Sequence, residues 1–228
     1  MQQASANADT DTGNSIVDKT TLDATWAHLA RSQVRRRRAL GALAIVAICV
    51  LPWVASAWTH LTWIHESLEW AGLALLILAV LGRSACMLYL GGRKGADLVT
   101  DGPYSISRNS LYVFSILAVF GIGLQTGSLL VGLILAALAS LIFRWIVGEE
   151  EILLQQAFGD AYQAYCQKTP RFLPKWSLWQ SPAYVTVDLQ GIWKTVRDAL
   201  PYFLSIPVFE AIEYAQDMGW VHPFLFLY

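Results

Sequence analysis

Charge is scarce in this chain. Acidic and basic residues make up 14% of it and nearly cancel, 16 Lys and Arg against 17 Asp and Glu. The balance gives no bulk basic surface of the kind that holds nucleic acid. With hydrophobic residues at 55% and a mean hydropathy of +0.43, the composition also excludes an ordinary soluble domain. Only three cysteines are present, too few and too scattered for a disulfide framework or a zinc spacing. Cys49 and Cys86 fall inside apolar runs, where cysteine behaves as a small hydrophobe. The four histidines are equally dispersed; the nearest pair, His60 and His65, does not have the usual ligand spacing, so no metal site is expected. Met1 to Ala24 has neither a basic start nor an apolar stretch, and reads as polar and disordered rather than as a signal peptide.

What the chain has is long apolar runs. Arg35, Arg36, Arg37 and Arg38 precede an uncharged run near 39–58, long enough as a helix to cross a bilayer, and they place its start in the cytoplasm. Further spans are expected near 70–90, 110–125 and 129–147. The two connections on the far side, 59–69 and 125–128, hold no Lys or Arg. Four spans with both ends of the chain cytoplasmic therefore satisfy the positive-inside rule. The expected fold class is all-α: an integral membrane helical bundle of about four transmembrane helices with amphipathic helices on its cytosolic face. Its parts are a disordered stretch at 1–30, a membrane domain at 31–174 and an interfacial extension at 175–228. Arg83, within the second span, is either a functional group or a snorkelling one. The loop 91–109, with Arg93, Lys94 and Arg108, lies on the basic side, but GGRKG lacks the spacing of a phosphate loop. Asn109 is placed to cap the third span, and Gly121, Gly123 and Gly132 to allow close helix packing.

The most informative stretch is 148–174, where Glu149, Glu150 and Glu151 directly follow the fourth span. At about 100° per residue, Glu151 shares an arc with Leu154 and Phe158, Glu150 sits a quarter turn away and Glu149 turns towards solvent. Gly159 breaks the helix, and Tyr162 and Tyr165 then share a face at i, i+3. The acids, Arg108 and Arg144 all converge on one membrane surface.

Gly102-Pro103-Tyr104, then Arg108 through Tyr112, then Glu150-Glu151, Phe158-Gly159, Tyr162, Tyr165 and Thr169 to Pro174 resemble the isoprenylcysteine carboxyl methyltransferase and phospholipid methyltransferase superfamily of integral membrane enzymes. The resemblance covers about a third of the chain. It implies S-adenosylmethionine as cofactor, with Tyr104, Arg108, Asn109, Tyr112, Glu150, Glu151, Tyr162, Tyr165 and Arg171 around it, and Arg108 and Glu151 nearest the chemistry. It further implies a lipophilic small-molecule or lipid-anchored acceptor reached through membrane lipids, and a location such as a bacterial inner membrane. Two positions depart from the family pattern: Asn109 replaces a histidine and Ser110 a proline. The sequence alone leaves open a non-catalytic membrane protein of the same fold that binds a partner or anionic lipid.

Overall fold

The computed structural model describes residues 34–35, 38–58, 62–91 and 97–228. The disordered stretch expected at 1–30, His60, and Arg93 and Lys94 of the basic loop lie outside the described residues.

Among the described residues the chain is largely helical. Helix α1 (Arg38–Trp53) leads into a short strand, β1 (Val54–Ser56), followed by α2 (Thr62–Leu90), the single turn α3 (Pro103–Ile106), α4 (Ser110–Leu124), α5 (Leu129–Lys168), α6 (Leu189–Phe203), α7 (Ser205–Asp217) and β2 (Leu225–Leu227). Two helices, Trp63–Leu90 and Leu129–Lys168, are long and apolar enough to cross a membrane; α1 and α4 are apolar but shorter. Ile45, Ile48, Leu78, Leu81, Leu133 and Leu141 all point outward. Helices that expose this much aliphatic surface suit a hydrocarbon surrounding better than water.

Helix α4 is the centre of the bundle, with α2 on one side and α5 on the other. It can approach both because small residues meet: a Cβ on Gly123 would lie 2.5 Å from the Cα of Gly132, and one on Gly121 would lie 2.8 Å from the carbonyl oxygen of Gly72. Between α4 and α5, Tyr112 packs with Ala139, Phe143, Ile146 and Val147. Leu76 and Ala79 of α2 pack on Ala118 of α4, and Tyr202 and Phe203 of α6 complete that layer.

Two sequence expectations need correction. First, α2 starts at Thr62, so His65 and Glu69 belong to a helix and not to an external loop. Second, the first apolar run stops being helical at Trp53, where the chain turns extended at Val54 to form β1. The segment after Pro174, expected to be an interfacial or re-entrant helix packed on the bundle, follows the bundle along its length. Asp188 packs on Gly91 at one end of α2, α6 then follows α2 to the level of Leu76, and α7 continues until Gln216 donates to the carbonyls of Pro52 and Val54 at the other end. Pro201 and Pro207 do not prevent this, because the chain breaks at Leu204 between the two helices and Pro207 lies in the first turn of α7, where backbone N–H groups lack helical partners anyway.

The final residues are accordingly tied to the far end of the bundle. Strand β2 pairs in parallel with β1, Val54 opposite Leu225. The carbonyl of Tyr228 accepts from Leu130 N at 2.7 Å and from Ser128 Oγ at 2.9 Å. Tyr228 thus sits beside the α4–α5 turn, the full apolar length of α5 away from Glu149, which pairs with Arg35. The two described ends of the chain, Arg35 and Tyr228, occupy opposite ends of the bundle. Reporter fusions at Tyr184 and Tyr228 are expected to report opposite sides of the membrane, with Tyr228 matching an insertion at Ser128. A common side for Tyr184 and Tyr228 would contradict this path.

Candidate functional site

The site is built at the Glu149 end from three pieces: the α3–α4 junction, the charged half of α5, and the strap of residues 169–175 that follows α5. Gly102 opens the first piece with φ 58° and ψ −130°, a backbone conformation that residues with a Cβ rarely adopt. The strap is stitched to α3 and its flanks. Arg108 N donates to Pro170 O at 2.9 Å, Ser107 Oγ to Phe172 O at 2.9 Å, Asn109 Nδ2 to Arg171 O at 3.0 Å, and Lys175 N to Ile106 O at 2.9 Å. Tyr165 Oη adds a bond to Tyr104 O at 2.7 Å. Burial holds the Tyr104 phenol well above the usual tyrosine range, so the ring is neutral at any physiological pH.

Successive helical residues point about 100° apart, and the three acids consequently serve three different partners. Glu150 accepts from Tyr112 Oη of α4 through both oxygens, at 2.8 and 2.7 Å. Glu151 faces the strap. Arg171 Nε lies 3.0 Å from it, Arg108 Nη1 3.5 Å and Asn109 Nδ2 3.4 Å. Glu149, which the sequence turns towards solvent, instead forms a two-pronged pair with Arg35 at 3.2 and 2.5 Å. That partner lies on the segment preceding α1, far away in sequence, and helical periodicity cannot reveal it.

Every residue singled out for the cofactor region is at this end: Tyr104, Arg108, Asn109, Tyr112, Glu150, Glu151, Tyr162, Tyr165 and Arg171. The kink that orients the two tyrosines is at Gly159, φ 52° and ψ −126°, as the sequence indicates. Their rings lie 6.1 Å apart, both buried. Two details differ. Asn109 occupies the N-cap position of α4, but its side chain makes no cap bond and is committed to the strap and Glu151. Buried Ser110, in place of a proline, donates to the carbonyls of Pro103 and Ser107, which fixes the helix start by hydrogen bonding. Sequence reasoning missed Cys166, whose sulfur accepts from Arg108 Nη1. Only its position one residue after Tyr165 hinted at a place in the site. Arg144 is exposed, and Arg83 turns to Ser115 of α4.

Two guanidinium nitrogens here, Arg108 Nε and Arg171 Nε, are buried with no hydrogen-bond acceptor among the described residues; Arg171 Nε is close to Glu151 but not aligned on it. The site therefore combines unfilled donor capacity with two carboxylates and a tyrosine wall. That combination suits a zwitterion carrying a carboxylate and one or more cationic groups.

The family model for phospholipid methyltransferase matches residues 68–161. The chain is 32% identical to the nickel-cobalt-cadmium resistance protein NccN of Alcaligenes xylosoxydans xylosoxydans over 166 residues, 73% of this chain and 78% of that relative. The chain belongs to the phospholipid methyltransferase family. It is also 35% identical over 159 residues to the cobalt-zinc-cadmium resistance protein CzcN of Cupriavidus metallidurans, 69% of this chain and 73% of the relative. No solved structure matches it. The matched family region holds Arg108, Tyr112 and the three acids, and ends before the strap with Arg171. Family membership and two apolar helices of spanning length make this a membrane-associated protein.

The arrangement orders the acids by structural weight. Tyr112→Phe removes both bonds to Glu150 and is expected to lower stability by about 1–2 kcal/mol. Glu151→Gln leaves Arg108 and Arg171 facing each other without a counter-charge, and is expected to cost about 2–3 kcal/mol. Thermal unfolding of the detergent-solubilised variants checks both, and a Glu151→Gln variant as stable as the parent would show that the ion pairs contribute nothing.

Proposed function

We propose that this protein is an S-adenosylmethionine-dependent methyltransferase that acts on a small lipophilic or lipid-anchored carboxylate or amine at the membrane surface. The observation that carries the reading is the convergence of Arg108, Glu150 and Glu151 on the strap that carries Arg171, with the Nε of Arg108 buried and unpaired among the described residues. These residues fit the cofactor. A carboxylate would satisfy Arg108, while Glu150 and Glu151, with the faces of Tyr162 and Tyr165, would accommodate cationic groups. When bound, S-adenosylmethionine supplies an electrophilic methyl group on a positively charged sulfur.

What the chain itself contributes is alignment and exclusion of water. The strap closes over α3 and the start of α4 through the backbone bonds of Arg108 and Lys175, and in the arrangement we infer it would wall the site from water while the exposed aliphatic surface of the bundle meets lipid. A carboxylate acceptor is already ionised and needs no base; an amine must lose a proton, and Glu150 or Glu151 would take it. The membrane arrangement we infer has α1, α2, α4 and α5 as four spans, with the Arg38 end cytoplasmic by its arginine run, and places the site in the cytoplasm-facing half.

A second reading has an observation of its own. The relatives NccN and CzcN are named for resistance to nickel, cobalt, zinc and cadmium. In addition, α6 presents Trp193, Lys194 and Arg197 along an open groove suited to anionic lipid or a partner. A non-catalytic membrane module serving metal resistance would use that face and leave the cofactor site empty.

Binding of S-adenosylhomocysteine to purified protein, followed by calorimetry, separates the two readings. The parent is expected to bind, and Glu151→Gln to bind about tenfold to a hundredfold more weakly. Glu149→Gln should lose much less, since Glu149 is spoken for by Arg35. Asn109→His, which restores the residue the family resemblance calls for, should bind at least as well as the parent. Absence of binding in the parent at about millimolar ligand would favour the second reading.

A further inference from the structure

The far end of the bundle carries a second cluster of polar groups that methyl transfer does not use. His65 lies one turn into α2, Glu69 follows at i+4 on the same face, and Glu213 reaches across from α7. His65 Nε2 is 3.4 Å from Glu69 Oε1 and 3.1 Å from Glu213 Oε1, and the three donor atoms all fall within 4.8 Å of one another. Around a zinc ion with ligands at about 2.0–2.2 Å, tetrahedral donors are about 3.3–3.6 Å apart. The two spacings from His65 are close to these values, so three of the four tetrahedral positions already have a donor nearby. We propose that His65, Glu69 and Glu213 form a binding site for one divalent transition-metal cation, of the Zn²⁺ or Co²⁺ kind, which clamps α7 to the start of α2.

Three further observations point to a cation. Nδ1 of His65 is pressed against Gly127 and has no hydrogen-bond partner among the described residues, which leaves Nε2, aimed between the two carboxylates, as the nitrogen that can ligate. The surroundings are acidic and uncompensated: Glu66, Glu210 and Asp217 join the two ligand acids, and no Lys or Arg occurs among the described residues 51–58, 62–69, 125–130 and 205–228. The side chains of Glu69 and Glu213 are 31% and 37% exposed, so an ion and a completing water can enter from solvent. One imidazole with two carboxylates is a borderline ligand set, better suited to zinc-like ions than to soft thiolate-seeking ones.

The inference stands apart from the methyl-transfer reading, since the two sites lie at opposite ends of α2 and α5. Full-length protein in detergent, stripped with EDTA, would be titrated with ZnCl₂ and with CoCl₂ by calorimetry, and its melting followed with and without metal. One equivalent is expected to bind and raise the melting temperature, with a tetrahedral Co²⁺ absorption band. Glu213→Gln, which keeps the shape of a partly exposed side chain, should weaken affinity at least about tenfold and remove the metal-dependent gain in melting temperature. Glu66→Gln, outside the cluster, should change neither. Equal metal affinity in the parent and Glu213→Gln would overturn the assignment, as would no binding in the parent, the result expected if His65 merely bridges the two acids as a cation. S-adenosylhomocysteine binding measured on the same samples reports the other site separately.

Discussion

The candidate site depends on one carboxylate placed between two guanidinium groups. Glu151 belongs to α5, Arg108 to the α3–α4 junction and Arg171 to the strap, so a single negative charge joins three separate pieces of chain. Removing it would leave two like charges a few ångströms apart in surroundings too dry to screen them well. The backbone bonds between the strap and residues 106–109 act in the same direction. They define where the strap lies, whereas the Glu151 pairs define the charge that whatever enters the site will meet.

That charge distribution gives the site a particular electrostatic character. Glu151 is partly neutralised by its arginines, Glu149 fully engaged with Arg35, and Glu150 bonded by a phenol. An incoming cationic group therefore meets graded, not bare, negative charge, while Arg108 and Arg171 retain donor capacity for an anion. A site of this kind discriminates by the spacing of opposite charges within one ligand. Asn109, where the resemblance calls for histidine, contributes no charge of its own, yet its amide still holds the strap to Glu151. The substitution thus preserves the architecture of the junction while altering its electrostatics.

Much of the site was legible in the sequence because it is local. Helical geometry separates Glu149, Glu150 and Glu151, a glycine breaks the helix at 159, and the i, i+3 spacing of Tyr162 and Tyr165 puts both on the buried face. The apolar runs likewise gave α4 and the apolar part of α5 nearly to the residue. What was not legible is long-range. Thr62 to Glu69 reads as a polar connection because its helix is amphipathic; Gln125, which donates to the Glu69 carbonyl, Gly127, which meets His65, and Glu213 reveal that it packs. Lys194, Arg197, Asp198 and two prolines mask the narrow apolar face on which α6 and α7 follow the bundle, with Ala199 and Phe209 buried in it. The pairs Arg35 with Glu149 and His65 with Glu213 join residues that no periodicity relates.

The clasp between Tyr228 and the α4–α5 turn bears on how the molecule is put together. Ser128 and its acceptor are a hundred residues apart, and Leu130 N, one of the first-turn donors that a helix leaves unsatisfied, also waits for that carbonyl. During synthesis α4 and α5 are complete well before residue 228 emerges, so the hairpin spends that interval with its tip open and β1 without its partner strand. Its closure has a long loop to close. Anything that diverts residues 225–228 from β1 and the turn would leave the hairpin assembled but its far end exposed, a distinct partly folded species for quality-control proteases to find.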